Sequence, residues 1–139
     1  MPKQDIIVCA VDGSEASKTA TKWAANTAVK RGIPLRLVSS YSMPQFLYAE
    51  GMVPPQELYE DLEAETLEKI EEAKKVAIDF VPEVDVSHQI EEGSPIDMLL
   101  DLSEQCTMIV MGSRGLGGLS GMVMGSVSAA VVSHASCPV

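Results

Sequence analysis

Apolar residues in this chain arrive in short unbroken runs separated by longer stretches where they recur every third or fourth position. Asp5 to Val11 is almost wholly apolar after its first residue, as expected for a central parallel strand covered on both faces. From about Glu15 to Arg31 the period changes. Ala16, Ala20, Trp23, Ala24, Thr27 and Ala28 fall on one helical stripe, with Lys30 and Arg31 at its end and Gly32 and Pro34 as stops. Leu35 to Tyr41 reads as a second strand, and Ser42 to Pro55, dense in Pro and Met, as an irregular loop. Gln56 to Phe80 predicts a long helix with Leu58, Leu62, Leu67, Ile70, Ala73, Ala77 and Phe80 on its apolar side.

The second half repeats the alternation. Pro82 ends the long helix, and Val84 to Ile90 alternates as a third strand with His88 at a polar position. Ser94-Pro95-Ile96-Asp97 predicts a helix start, with Ser94 as cap, Pro95 in the first turn, and Ile96, Leu99 and Leu100 pointing inward up to about Cys106. Met108 to Met111 is too short for a helix and reads as a buried strand ending at Gly112, and Ala129 to His134 reads as a last helix. Strands and helices in alternation call for an α/β fold, a parallel sheet with helices on both faces.

Chemistry concentrates after the Met108 run. Gly112-Ser113-Arg114-Gly115 is followed, after nine residues, by Gly125-Ser126-Val127-Ser128. A strand, a glycine-rich loop and a serine-rich helix start supply backbone N–H groups, hydroxyls and a positive dipole end, which together suit a phosphate. A glycine-rich surface loop without a ligand fits the same residues. No Lys follows Gly117, Gly118 or Gly121, so the G-x-x-x-x-G-K-[ST] loop is excluded, and Gly115 to Ser120 only imitates a dinucleotide fingerprint, far from the first strand. If the first and fourth strands are neighbours, Asp12, the Ser39-Ser40-Tyr41 strand end and the Gly112 to Ser128 loop surround one crevice. Asp12 suits ribose hydroxyls or a water-linked metal, or simply the capping of the next helix.

Charge narrows the partners. Ten Lys and Arg against twenty Asp and Glu give a net charge of −10, which argues against nucleic acid and anionic membrane. A polyphosphate would then depend on backbone dipoles, hydroxyls and a divalent cation, with Arg114 the evident nearby positive side chain. The glutamates of the long helix read as a solvated face, or as an acidic docking surface. Cys9, Cys106 and Cys137 form no C-x-x-C pair and read as reduced thiols, and His88 and His134 make no metal cluster. The start of the chain shows no leader pattern and no run reaches transmembrane length, so a single cytoplasmic domain over residues 1–139 is expected.

The spacing G-x2-G-x9-G-[ST], carried by Gly112, Gly115, Gly125 and Ser126, occurs here with Asp12-Gly13-Ser14, Glu92-Gly93-Ser94-Pro95 and the closing Cys137-Pro138-Val139. In this combination the chain resembles the universal stress protein family over essentially its whole length. The resemblance implies an open five-stranded parallel sheet of order 3-2-1-4-5, and a stress-response or regulatory module that binds ATP with Mg2+ bridging the phosphates. By position it places Asp12 near the ribose and the Ser39 and Ser40 backbone at the adenine. Gly112 and Gly115, beside Met111, approach the ribose and α-phosphate, and Gly125, Ser126, Val127 and Ser128 the outer phosphates. Thr107 stands where the family often has an acidic residue. The family's last strand follows Cys-Pro-Val, so these residues read as a shortened domain or the first half of a tandem protein, with the family's homodimer in question and Met108 to Met111 left as an apolar edge. No general base, histidine-paired nucleophile or carboxylate pair marks a catalytic site. A slow ATPase or adenylate-forming enzyme, and a nucleotide-free interaction module, are the competing functions.

Overall fold

The computed structural model describes residues 3–113 and 122–139. Its elements run β1 (Ile7–Ala10), α1 (Glu15–Arg31), β2 (Leu35–Tyr41), α2 (Gln45–Ala49), α3 (Gln56–Phe80), β3 (Val86–Glu92), α4 (Pro95–Ser103), β4 (Met108–Val110) and α5 (Met122–His134). Among the described residues the strands form one four-stranded parallel sheet, ordered β3-β2-β1-β4. This is the α/β architecture the alternating pattern predicts, without a fifth strand among those residues.

Side-chain alternation along β1 divides the core in two. Ile7, Cys9 and Val11 pack with Ala20, Ala24 and Ala28 of α1 and with Ile70, Ala73 and Ala77 of α3. Ile6, Val8 and Ala10 point to the opposite face and meet Met98, Leu99 and Leu102 of α4 and Val127 and Val131 of α5. Ile7 to Cys9 are fully buried, the condition that selects an unbroken apolar run over an alternating one.

Helix α1 has both ends specified locally. The Ser14 hydroxyl accepts the Ser17 N–H at 3.1 Å, and Gly32, at φ 68°, donates its N–H back to the carbonyls of Ala28 and Val29. Its buried side is rotated about the helix axis relative to the expected stripe. Ser17, Ala20, Thr21, Ala24, Ala25 and Ala28 face inward, whereas Trp23 is 54% exposed. Small residues let the helix lie close to the sheet, and an indole does not fit beneath it. Thr21 enters the core because its hydroxyl donates to the Ser17 carbonyl at 2.8 Å.

Other differences have equally local causes. In α3 the buried positions are Thr66, Ile70, Ala73 and Ala77, while Leu67 and Phe80 are exposed. Phe80 instead offers its ring to the Lys22 ammonium, 5.7 Å from the centroid. The loop expected over 42–55 contains the five-residue α2, and the Tyr48 and Tyr59 hydroxyls, 3.1 Å apart, link α2 to α3. Strand β3 runs Val86–Glu92 rather than Val84–Ile90, in register with β2 from Leu35↔Val86 to Tyr41↔Glu92, and leaves His88 exposed at the sheet edge. Helix α4 ends at Ser103, short of Cys106, and α5 begins at Met122, well before Ala129. The outer edge of β4 is not bare. The Ile109 N–H donates to the Pro138 carbonyl at 2.9 Å, and Ile109 is fully buried.

Because the Ser14 side chain caps α1, Ser14→Ala is expected to lower the unfolding free energy by about 1 kcal/mol. Urea unfolding with an unchanged m-value checks this.

Candidate functional site

The sheet order places a switch point at β1. The chain proceeds from β1 to β2 on one side, and β4 pairs on the other. Ligands in such sheets bind outside the carboxyl ends of the strands at that point. A cavity of about 210 Å³ lies there. Val11 and Asp12 from the end of β1 and Val38, Ser39 and Ser40 from β2 form its floor. Thr66 and Lys69 of α3 stand on one side, Pro95, Met98 and Leu99 of α4 on the other, and Val127 of α5 closes it.

Asp12 is held by the turn that follows it. Its Oδ1 accepts the Ser14 N–H at 2.9 Å and the Ser14 hydroxyl at 2.6 Å. Ser14 in turn caps α1, so Asp12 steadies the capping residue instead of capping the helix itself. Gly13, at φ 84°, permits this tight turn. The Ser39 hydroxyl donates to the Val11 carbonyl at 2.8 Å, locking the two strand ends together. The arrangement gives a mainly apolar slot with a fixed carboxylate at its rim.

Of the residues singled out in the sequence, Asp12, Ser39, Ser40 and Val127 therefore share one cavity. Met111 and Ser128 lie elsewhere. With Ser113, Trp23 and Val132 they line a groove of about 710 Å³ between α1, the outer side of β4 and α5. Gly112 is pressed on α1: a Cβ there would lie 2.9 Å from the Ala16 Cβ and 3.0 Å from its carbonyl carbon. Its glycine is explained by this contact without any ligand. Gly125 sits inside α5, where an added Cβ would stand 3.6 Å from the Ser113 carbonyl oxygen. Ser126 is exposed, and the Ser128 hydroxyl donates to the Gly125 carbonyl at 3.1 Å. Gly115 and Arg114 lie outside the described residues.

Besides apolar lining residues, two polar ones escaped the sequence reading. Thr66 and Lys69 sit one turn apart on α3, beside the buried Ile70 and Ala73, so helical phase was the available signal. The Lys69 Cγ and Cδ lie 3.4 Å from where a Gly13 Cβ would be. A lysine stem thus overlies the Asp12 turn, and Arg114 is not the sole cation to consider. Among the described residues there is no cluster of three or more His, Cys, Asp or Glu that could hold a metal, and no helix long and apolar enough to cross a membrane.

Residues 4–139 match the universal stress protein family model. The chain belongs to that family. It is 32% identical to a universal stress protein of Mycobacterium bovis over 148 residues, covering 96% of this chain and 46% of the relative. A second universal stress protein, from Mycobacterium tuberculosis, is 32% identical over 139 residues with the same coverage. The chain thus spans about half the length of the curated relatives it matches. Solved structures with the same fold include a universal stress protein in complex with cAMP, at TM-score 0.72, 22% identity and 96% and 93% coverage of the two chains. Another is the Archaeoglobus fulgidus universal stress protein in complex with dAMP, at TM-score 0.64, 21% identity and 99% and 96% coverage.

The two glycines of this universal stress protein separate by their surroundings. Gly112→Ala is expected to lower stability by about 1–3 kcal/mol through overpacking on Ala16. Gly125→Ala, placed in a helix with ordinary space around it, should be neutral or stabilising by up to about 1 kcal/mol. Urea denaturation of both variants makes the comparison.

Proposed function

We propose that the cavity at the ends of β1 and β2 binds an adenine nucleotide, ATP with Mg2+, and that the domain is a stress-response regulatory module. The observation that carries this reading is the convergence of Asp12, Ser39 and Ser40 with an apolar slot at the sheet's switch point. Solved relatives of the same fold, bound to cAMP and dAMP, support a nucleotide as the ligand class. In this reading Val11, Val38, Met98 and Leu99 flank the planar base, and the Ser39–Ser40 backbone offers it hydrogen bonds. Asp12, already oriented by Ser14, accepts from ribose hydroxyls. Lys69 supplies positive charge near the Asp12 turn. The family resemblance assigns the phosphates to Gly112, Gly115, Gly125, Ser126, Val127 and Ser128, of which Val127 lines this cavity and Ser128 the neighbouring groove.

The donor set suits magnesium only together with the nucleotide. Mg2+ is usually held by one or two carboxylates plus phosphate oxygens and water, and Asp12 is the carboxylate that lines this cavity. When bound, the ion would neutralise phosphate charge in a protein of net charge −10. The domain acts in the cytoplasm by holding nucleotide, not by turning it over, and works beside a second copy or a tandem partner domain.

Calorimetric titration with ATP tests the reading. Binding in magnesium should weaken by about tenfold or more in EDTA. Gly125→Val should abolish binding while circular dichroism shows an intact fold. Absence of ATP binding by the folded wild-type chain would refute the assignment.

A further inference from the structure

Cys106 and Cys137 lie on either side of the β4–α5 unit in the sequence, yet their sulfur atoms are 3.8 Å apart. Cys106 follows α4 and is buried; Cys137 is half-buried against the same half of the core. Both are positioned by their neighbours. The Cys106 thiol lies 3.6 Å from the Met108 carbonyl, which it can donate to. Before Cys137, the Ser136 N–H donates to the Ser103 hydroxyl at 3.0 Å, and its carbonyl accepts from the Lys3 ammonium at 3.2 Å. After it, the Pro138 carbonyl accepts the Ile109 N–H. The chain is therefore fastened on both sides of Cys137, whose thiol can donate to the Pro138 carbonyl at 3.4 Å while its sulfur lies against that of Cys106.

We propose that Cys106 and Cys137 are a redox modification site that closes to a reversible disulfide when the protein meets a hydroperoxide. Closure requires the sulfurs to approach from contact distance to about 2.05 Å. The more accessible Cys137 reacts first. Its thiolate attacks a peroxide oxygen, the O–O bond breaks, and the departing oxygen takes a proton to leave as water or an alcohol. The resulting sulfenic acid is then attacked by the Cys106 sulfur. The S–O bond breaks, and hydroxide leaves with the Cys106 proton as water. Two thiols and one hydroperoxide become one disulfide, one water and one water or alcohol. A dithiol reductant reverses the bond by exchange.

Burial pushes the Cys106 thiol up to about 12, reinforced by the charge of Cys137 and the hydrogen bond between them. Cys106 is thus protected from direct oxidation, and conversion of Cys137 to a neutral sulfenic acid removes the opposing charge when Cys106 must react. Cys9 provides the contrast. It is fully buried in the other half of the core, its sulfur faces the Thr21 hydroxyl at 3.8 Å, and burial also raises its thiol to about 12.

Peroxide treatment of the folded 139-residue chain, followed by alkylation in denaturant and peptide mapping without reduction, tests the proposal. The expected product is an intramolecular cross-link between the Cys106 and Cys137 peptides, about 2 Da lighter than the reduced pair. Cys9 should stay alkylatable, and dithiothreitol should restore all three thiols. Oxidised protein should melt roughly 10 °C higher than reduced protein, since the bond closes a long loop. Cys9→Ser should behave like the parent, and Cys106→Ser should leave Cys137 to over-oxidise. Three alkylatable thiols after treatment would overturn the proposal, as would a Cys137-linked dimer or a bond involving Cys9.

Discussion

Strand β1 accepts pairing from both sides while side chains seal both of its faces, and the remaining architecture is arranged around that double demand. Its backbone meets β2 at Ile7↔Leu35 through Ala10↔Val38 and β4 at Ile7↔Met108 through Cys9↔Val110. With no water available to these groups, each N–H and C=O must find a partner in a neighbouring strand. The chain can supply neighbours on opposite sides only by reversing direction across the sheet. That reversal opens the space beyond the carboxyl end of β1. The cavity is thus a by-product of satisfying one buried strand, and Asp12 stands there because β1 ends there.

Continuous apolar runs made the strands legible, and local signals marked the end of α1 at Gly32, the end of α3 before Pro82 and the start of α4 at Ser94. Gly32 and Ser94 act within a few residues of themselves, so tertiary structure cannot easily disguise them, whereas the α1 cap is Ser14 and not Asp12, a choice set by the turn between them. What stayed hidden depended on partners remote in sequence. Trp23 and Leu67 carry the right period but lie at the flank of their helices, where the sheet offers no cover. The bounds of β3 follow the register imposed by β2, and α2 was concealed by its surrounding prolines.

For the site, the sequence identified strand ends well, because position at a carboxyl end follows from topology alone. Asp12, Ser39 and Ser40 were found that way. It identified helix side chains poorly: Thr66 and Lys69 belong to a glutamate-rich helix whose polar positions look alike until one face is set against the sheet. The glycines were ambiguous for a different reason. Close approach is what a glycine permits, and Gly112 permits it toward Ala16, so the residue type could not announce whether ligand or helix was the neighbour.

The Gly112–Ala16 contact ties the exit of β4 to the start of α1. A methyl at Gly112 would meet not only the Ala16 Cβ but also the Ala16 carbonyl carbon and oxygen, at 3.0 and 3.1 Å, so trimming the Ala16 side chain alone would not make room for it. Ala16 also belongs to the first turn of α1, directly after the turn that orients Asp12. The exit from β4 is consequently packed against the first turn of the helix whose cap, Ser14, is bonded to the carboxylate at the cavity rim.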